Sequence, residues 1–140
     1  MDKLELIPLC EVTMQVGESH AIGQTPTGEM MIGEITRARW EGERFRASLR
    51  GSAAADWMTF APDGNGSPDV RMTLETDDGA LVFVSYSGRF HGATATAYTT
   101  PTFRTGDARY AWLNSAQAVG KGSFEANTGR IHYPMMYEMR

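Results

Sequence analysis

The residues best suited to chemistry lie in the segment Phe103 to Asn114, which reads FRTGDARYAWLN. If this segment forms a strand, Tyr110, Trp112 and Asn114 project from one face, because side chains alternate with a period of two. A phenol, an indole and a carboxamide on one face suit the wall of a pocket for a small, partly polar molecule. The alternative is a pair of core aromatic residues followed by a turn asparagine, and the sequence leaves both interpretations open.

A second set of polar side chains lies in DVRMTLET, where Arg71 and Glu75 alternate on one face of a predicted strand. If this face points inward, Arg71 would clamp a substrate carboxylate or enolate, because its planar guanidinium group suits a bidentate oxyanion. Glu75 would then line the same pocket. The alternative is a solvated outer face. Tyr98 and Arg104 lie in the next polar segment. If they face inward, Tyr98 would donate a hydrogen bond to the substrate and Arg104 would act as a second clamp. The alternative is again a solvated outer face.

Asp56 and Trp57 follow the run of small residues from Gly51 to Ala55. The aspartate is either a helix or turn cap, or a carboxylate held against an indole ring. Desolvation beside the ring would raise its pKa and make it a usable general acid or base. Trp57 would then contact the substrate. Trp40, which precedes a Glu-Gly turn, is a further candidate for the pocket wall, with core packing as the alternative.

The chain lacks the motifs of several catalytic classes. It has neither a phosphate-binding Gly-Lys-Ser/Thr loop nor a dinucleotide fingerprint, so we expect no nucleotide cofactor. Its three histidines, His20, His91 and His132, are far apart in sequence and show no metal-ligand spacing, so we expect no metal. The single cysteine, Cys10, lies in an apolar run and is interpreted as a buried, inert thiol.

Composition narrows the class of protein and its partners. The chain has 140 residues, of which 41% are hydrophobic and 21% charged, and its net charge is −4. This predicts one domain over residues 1–140 with a real hydrophobic core. The arginines are scattered rather than clustered, so we expect neither nucleic acid nor a membrane as a partner. Without a signal peptide or an apolar run of transmembrane length, the protein is expected to be cytoplasmic.

The pattern of the chain predicts an all-β fold. Short alternating or β-branched segments are separated by turn sequences such as PDGNGSPD, DDG and NTG, and no amphipathic helix is convincing. About eight to ten such strands predict an antiparallel barrel or sandwich, and a closed barrel would leave no exposed strand edge. We predict a single antiparallel β-barrel of calycin-like type with a central cavity, since a barrel of this size can hold one small ligand.

The order and spacing of these segments resemble one uncharacterised family, domain of unknown function 3237, also called the UPF0311 group. The resemblance runs from about Gly28 to Gly122 and includes GEITRARWEG, RFRASLRGSAAADW, DVRMTLETDDGAL and PTFRTGDARYAWLN with a following VGKG. It implies a β-barrel with a central cavity, often self-associated, and a small hydrophobic or aromatic substrate. The positions that match the family are Asp56, Trp57, Arg71, Asp77, Gly79, Tyr110, Trp112 and Asn114.

Two positions depart from the family pattern. The family usually has an acidic residue where this chain has Arg104, and often an arginine where this chain has Tyr98. The resemblance therefore implies a specialised member, with charge moved along the pocket.

Two functions follow from the sequence as hypotheses. The first is a cofactor-independent lyase, isomerase or cyclase, or a decarboxylase, acting on a small aromatic or polyketide-like molecule. Asp56 would transfer protons, Arg71 or Arg104 would hold an anion, Tyr98 or Tyr110 would donate a hydrogen bond, and Trp112 would stack. The alternative is a barrel that binds a small hydrophobic ligand without turnover.

The C-terminal segment suggests self-association. Its aromatic and methionine side chains either form an apolar patch for a homodimer or higher homo-oligomer, or close the barrel core. The residues concerned are Tyr133, Met135, Met136 and Tyr137.

Overall fold

Alternating segments separated by turn residues become strands along almost the whole chain. The computed structural model describes residues 2–140, which form eleven strands and one short 3₁₀ helix, Ala108–Ser115. The strands are β1 Leu6–Thr25, β2 Gly28–Glu41, β3 Arg46–Leu49, β4 Ala55–Phe60, β5 Gly66–Ser67, β6 Asp69–Thr76, β7 Leu81–His91, β8 Thr96–Thr99, β9 Thr102–Arg104, β10 Gln117–Glu125 and β11 Arg130–Met139. None of the helical structure within 2–140 is long and apolar enough to cross a membrane.

The strands form one antiparallel sheet that closes on itself. β1 pairs with β2 and β11, and β11 pairs with β10 to complete the ring. β2 and β6 are bridged by β3 near one end and by β4 near the other, and β7 is joined to β10 through β8 and β9. Ten strands make a closed barrel with one additional strand, which confirms the all-β barrel prediction.

Residues alternate between the inside and the outside of the barrel. In β6, Val70, Met72 and Leu74 are buried in the core, whereas Arg71 and Glu75 point to the outer face. The core is apolar because every second residue of each strand faces it. The prediction that Arg71 and Glu75 face the interior is therefore wrong: the register that buries three apolar side chains must turn the intervening residues outward.

The segment expected to form a strand at Ala108–Ser115 is a 3₁₀ helix instead. Asp107 caps it, with a carboxylate oxygen that accepts a hydrogen bond from the backbone N–H of Arg109. The backbone is kinked at Tyr110, whose φ of −119° and ψ of 17° are not helical, and Trp112 and Asn114 lie in the 3₁₀ turns that follow, so the alternating face predicted for Tyr110, Trp112 and Asn114 does not form. The helix covers one end of the barrel, where the ring of Tyr110 lies 6.3 Å from that of Phe45.

Candidate active site

A cavity of about 130 Å³ lies at the end of the barrel opposite the helix. Its wall comes from the long hairpin of β1 and β2 and from the neighbouring ends of β4, β6, β7, β8, β10 and β11. Most of this wall is apolar. The lining side chains are those of Val16, Ser19, Met31, Asp56, Met58, Phe60, Pro68, Val70, Tyr86, Phe90, Ala97, Ser123, Phe124, Ile131 and Tyr133, together with Gly33.

Asp56 is the carboxylate of this cavity. It lies in β4 opposite Val70, an inward-facing residue of β6, and this pairing turns the carboxylate toward the interior. Its Oδ1 atom accepts a hydrogen bond of 3.2 Å from the backbone N–H of Asp69. Burial in apolar surroundings raises the pKa of Asp56 from 3.8 to about 6, although that hydrogen bond opposes the shift. Asp56 therefore exchanges a proton close to neutral pH.

Two buried phenols, Tyr86 of β7 and Tyr133 of β11, line the same cavity. The hydroxyl of Tyr133 accepts a hydrogen bond of 3.2 Å from Thr99, so its own proton remains available to a ligand. The hydroxyl of Tyr86 lies 3.9 Å from the sulfur of Met14, which is a weak acceptor, and it also interacts with the hydroxyl of Tyr133. Burial raises the pKa of both phenols, which keeps them protonated and able to donate.

The position of Tyr133 depends on two glycines of β10. A Cβ atom added at Gly122 would lie 2.6 Å from Cε1 of the Tyr133 ring, and one added at Gly120 would lie 3.0 Å from its Cδ1. The ring therefore occupies space that any other residue would fill. The VGKG sequence in β10 is explained by this close approach.

The carboxylate and the phenols interact electrostatically. The negative charge of Asp56 contributes to the raised pKa of both Tyr86 and Tyr133, although burial is the larger cause for each. None of the described residues in the cavity wall is a lysine, arginine or histidine. The cavity thus combines one proton-exchanging carboxylate with two neutral donors and has no positive charge to hold an anion.

The arginines predicted as anion clamps lie outside the cavity. Arg71 stacks on the ring of Trp57, with its guanidinium carbon 5.5 Å from the ring centroid, and it pairs with Asp69 at 3.4 Å. Arg104 stacks in the same way on Phe83, at 5.0 Å. Both arginines, and Trp57, occupy outward positions of their strands. No arginine clamp inside the barrel is therefore formed by these side chains.

Two more predicted site residues are on the outer surface. Tyr98 of β8 is 46% exposed, and its ring lies edge-on to that of His91. Glu75 forms an ion pair of 2.8 Å with Arg50. The prediction that Tyr98 and Glu75 line the pocket is wrong. The alternation that directs Ala97 and Thr99 of β8 inward directs Tyr98 outward, and the alternation in β6 does the same for Glu75.

The remaining predicted residues gather at the end closed by the helix. Trp40 is fully buried in the core, and Tyr110 donates a hydrogen bond of 2.8 Å to Asp78. Trp112 carries the guanidinium group of Arg44 over its ring at 4.9 Å. Asn114 accepts from the backbone N–H of Thr105 and donates to its carbonyl, at 2.8 and 3.0 Å. These side chains close the barrel and do not reach the cavity.

Sequence reasoning missed the roles of Tyr86 and Tyr133. Tyr86 ends the continuous apolar run LVFVSY. A phenol in such a run indicates a polar group inside the barrel, since a buried hydroxyl needs a hydrogen-bond partner. Tyr133 was grouped with Met135, Met136 and Tyr137 as either interface or core. The structure divides that set: Tyr133 and Met136 are buried in the core, whereas Met135 and Tyr137 are partly exposed.

One cluster of potential metal ligands is also not indicated by the spacing of residues along the sequence. The pairing of β1 with β2 brings Glu18, His20 and Glu34 together, with their ligand atoms within 4.8 Å of one another. All three side chains are exposed, and His20 forms an ion pair of 2.6 Å with Glu34. That contact raises the pKa of His20. In the structure this contact joins β1 to β2 on the outer surface.

The fold and this site together define a class of protein: closed antiparallel β-barrels with an apolar, carboxylate-containing cavity at one end. The chain belongs to the family described as protein of unknown function DUF3237, whose model matches residues 4–98 and 93–139. A curated UPF0311 protein of Rhodopseudomonas palustris is 24% identical over 132 residues, which cover 83% of this chain and 86% of that protein.

Crystal structures of other proteins share the fold. A β-barrel-like protein from Acinetobacter baumannii has a TM-score of 0.89 at 24% identity and covers 100% of this chain and 98% of its own. A conserved protein of unknown function from Rhodopseudomonas palustris has a TM-score of 0.88 at 24% identity, with 100% of both chains covered. An enzyme from Penicillium herquei has a TM-score of 0.73 at 21% identity and covers 99% of this chain and 94% of its own.

Proposed function

We propose that this protein is a cofactor-independent enzyme of the lyase or isomerase type, which moves a proton on a small neutral molecule held in the barrel. The observation that supports this most is the Asp56 carboxyl group, with a pKa of about 6, in a cavity shared with two buried phenols. A general acid or base works best when its pKa lies near the working pH.

The three groups fit the chemistry of a carbonyl compound. Asp56 takes the proton from the carbon next to the carbonyl group, the electron pair of the broken C–H bond forms a carbon–carbon double bond, and the π pair of the carbonyl group moves onto its oxygen. Tyr86 and Tyr133 donate hydrogen bonds to the oxygen as its negative charge develops. Asp56 then returns the proton to another atom, which completes an isomerisation. Alternatively, the enolate expels a β-substituent with its bonding electrons and Asp56 gives the proton to that leaving group, which completes a lyase reaction. A carboxylate base combined with a phenol donor is an established arrangement for such reactions.

The cavity limits the substrate to a small and uncharged molecule. Its volume of about 130 Å³ is close to that of an engineered cavity that takes up one benzene molecule. With Arg71 and Arg104 outside the barrel, the decarboxylation that would need an arginine to hold the substrate carboxylate is not retained. A one-ring ketone or enone whose substituents extend through the open end fits the wall best.

A structural relative of low sequence identity supports catalysis by this fold. The protein from Penicillium herquei that shares the barrel is described as an enzyme. At 21% identity this likeness establishes the fold alone. It is consistent with a catalytic role here and names neither a reaction nor a substrate for this chain.

The proposal is tested with acetophenone as a neutral one-ring probe. In deuterated water, loss of its methyl protons by exchange is followed by proton NMR. We expect the native protein to accelerate exchange over buffer, and Asp56→Asn to lose about 10²-fold or more of the acceleration, since general bases contribute about 10² to 10⁴. Glu75→Gln, which removes a carboxylate from the outer face, should keep the native rate. Equal rates for the native protein and Asp56→Asn would refute the role of Asp56.

A binding protein without turnover is the second candidate, and the predominantly apolar wall favours it. The same experiment separates the two. Saturable shifts of the acetophenone signals with no exchange above buffer, repeated for other one-ring ketones, would indicate binding without catalysis.

A further inference from the structure

A polar groove of about 530 Å³ lies on the outer face of the barrel, and it is distinct from the cavity although Tyr86 lines both. Its floor is a row of residues that lie directly opposite one another in neighbouring strands. Arg71 of β6 pairs with Ser85 of β7, which pairs with Thr102 of β9. Arg104 lies two residues beyond Thr102, opposite Phe83. The groove therefore has an arginine at each of two opposite corners.

The two guanidinium groups are held apart. Two strand spacings and two residue steps place the Cα atoms of Arg71 and Arg104 about 12 Å from each other. Arg71 leans over Trp57, which belongs to β4, whereas Arg104 leans over Phe83 of β7. Stacking on an aromatic ring fixes the plane of a guanidinium group and leaves its N–H edges free for an oxyanion. Each arginine thus presents a separate binding fork.

The positive charge of the groove is only partly neutralised. Within residues 2–140, Arg104 has no acidic side chain within ion-pairing distance, and Arg71 has only Asp69, at 3.4 Å. Such exposed pairs contribute little and are easily exchanged for another partner. The groove is therefore a positive region on a protein whose net charge is −4.

Hydroxyl groups fill the space between the arginines. Ser85 and Thr102 lie in this space, whereas Ser87 lies opposite Asp69, on the side of Arg71 away from Arg104. The hydroxyls of Ser85 and Thr102 make no hydrogen bond to any other residue of the described chain. Each can donate one hydrogen bond to an oxyanion. A row of free donors between two guanidinium groups matches a ligand with charged ends and a polar or flexible middle.

We propose that this groove binds a small organic dicarboxylate, with one carboxylate on Arg71, the other on Arg104, and the hydroxyls of Ser85 and Thr102 between them. A single phosphate would need both guanidinium groups to converge, and their stacking on different rings opposes this. Both arginines would then bind carboxylates, which pair well with guanidinium groups, on the outside of the barrel rather than inside it.

The test is a titration of ¹⁵N-labelled protein with succinate, adipate and suberate, followed by amide chemical shifts at ionic strength held constant with sodium chloride. We expect saturable shifts centred on Ser85 and Thr102. Arg71→Gln and Arg104→Gln should each weaken binding by about threefold to fivefold, as expected for one exposed charge pair. Arg37→Gln removes an exposed arginine elsewhere on the barrel and should leave the affinity unchanged.

Other outcomes overturn the proposal. Butyrate binding as tightly as the best dicarboxylate would show that a single carboxylate suffices, and tighter binding of inorganic phosphate would show convergent arginines. Equal weakening by Arg37→Gln, or no saturable shift, would indicate general attraction only. Arg71→Lys keeps the charge, so comparison with Arg71→Gln separates lost binding from lost packing on Trp57.

Discussion

The apolar surroundings of Asp56 disfavour its negative charge, and this leads to a prediction about stability. Because its pKa rises from 3.8 to about 6 on folding, the native state binds its proton more readily than the unfolded state between those values. Through this group, stability is highest below about pH 4, falls as the pH rises to about 6, and stays lower above. At 1.36 kcal/mol per pKa unit the cost is at most roughly 3 kcal/mol.

Asp56→Asn removes that cost. We expect the variant to be more stable than the native protein at pH 7 and above, and to lose the advantage at pH 4. Thermal or urea unfolding across this pH range measures it, with Glu75→Gln as the exposed control. A constant difference in the free energy of unfolding between native protein and Asp56→Asn would contradict the raised pKa.

The phenols of the cavity make a second prediction at the residue scale. If both donate to a developing oxyanion, Tyr86→Phe and Tyr133→Phe should each lower the rate of acetophenone exchange by about 10-fold to 10³-fold. Tyr98→Phe removes an equivalent hydroxyl from the outer surface and should have no effect. Rates unchanged in both cavity variants would leave Asp56 without partners in the proposed mechanism.

Among the elements, β10 is the one that makes room for the site. Gly122→Ala should push the Tyr133 ring from its place and destabilise the protein by about 1–3 kcal/mol, the usual cost of overpacking. The acetophenone rate should fall with it. Gly106→Ala is the matched control, because a Cβ atom added there meets nothing within 4 Å. Equal unfolding midpoints for the two variants would show that the Tyr133 ring has room to move.

The 3₁₀ helix and the strands differ in how far the sequence predicts them. The strands follow from alternation, because burying one face of a segment fixes which residues turn outward. The helix depends on contacts that no spacing reveals: Asn114 holds both backbone groups of Thr105, and Asp107 caps the first turn. The alternation of Tyr110 and Trp112 is therefore typical of a strand, although the segment forms 3₁₀ turns interrupted by a kink at Tyr110.

For the whole molecule, the barrel has a closed and an open end, and the open end should control ligand entry. Ala97→Leu adds a larger apolar side chain to the cavity wall and leaves the Asp56 carboxyl group in place. We expect it to weaken acetophenone binding by about 10-fold or more, since the added methyl groups occupy cavity volume. Stability should stay the same or rise, because the added groups fill a void. Undiminished binding in NMR titration would place the ligand elsewhere.

By itself the sequence determined the all-β class, the barrel and the family, because alternation, turn residues and segment order are local properties of the chain. It also singled out Asp56. It did not determine which polar side chains share an interior. Arg71, Glu75 and Tyr98 are polar, as a binding pocket requires, but they lie at outward-facing positions of their strands. Tyr110, Trp112 and Asn114 lie at the opposite end of the barrel.

Only the tertiary structure brought Asp56 together with Tyr86 and Tyr133. These three belong to β4, β7 and β11, and closure of the barrel, rather than sequence spacing, makes them neighbours. The raised pKa of Asp56 has the same origin, since the apolar wall that desolvates the carboxylate is assembled from strands distant in sequence.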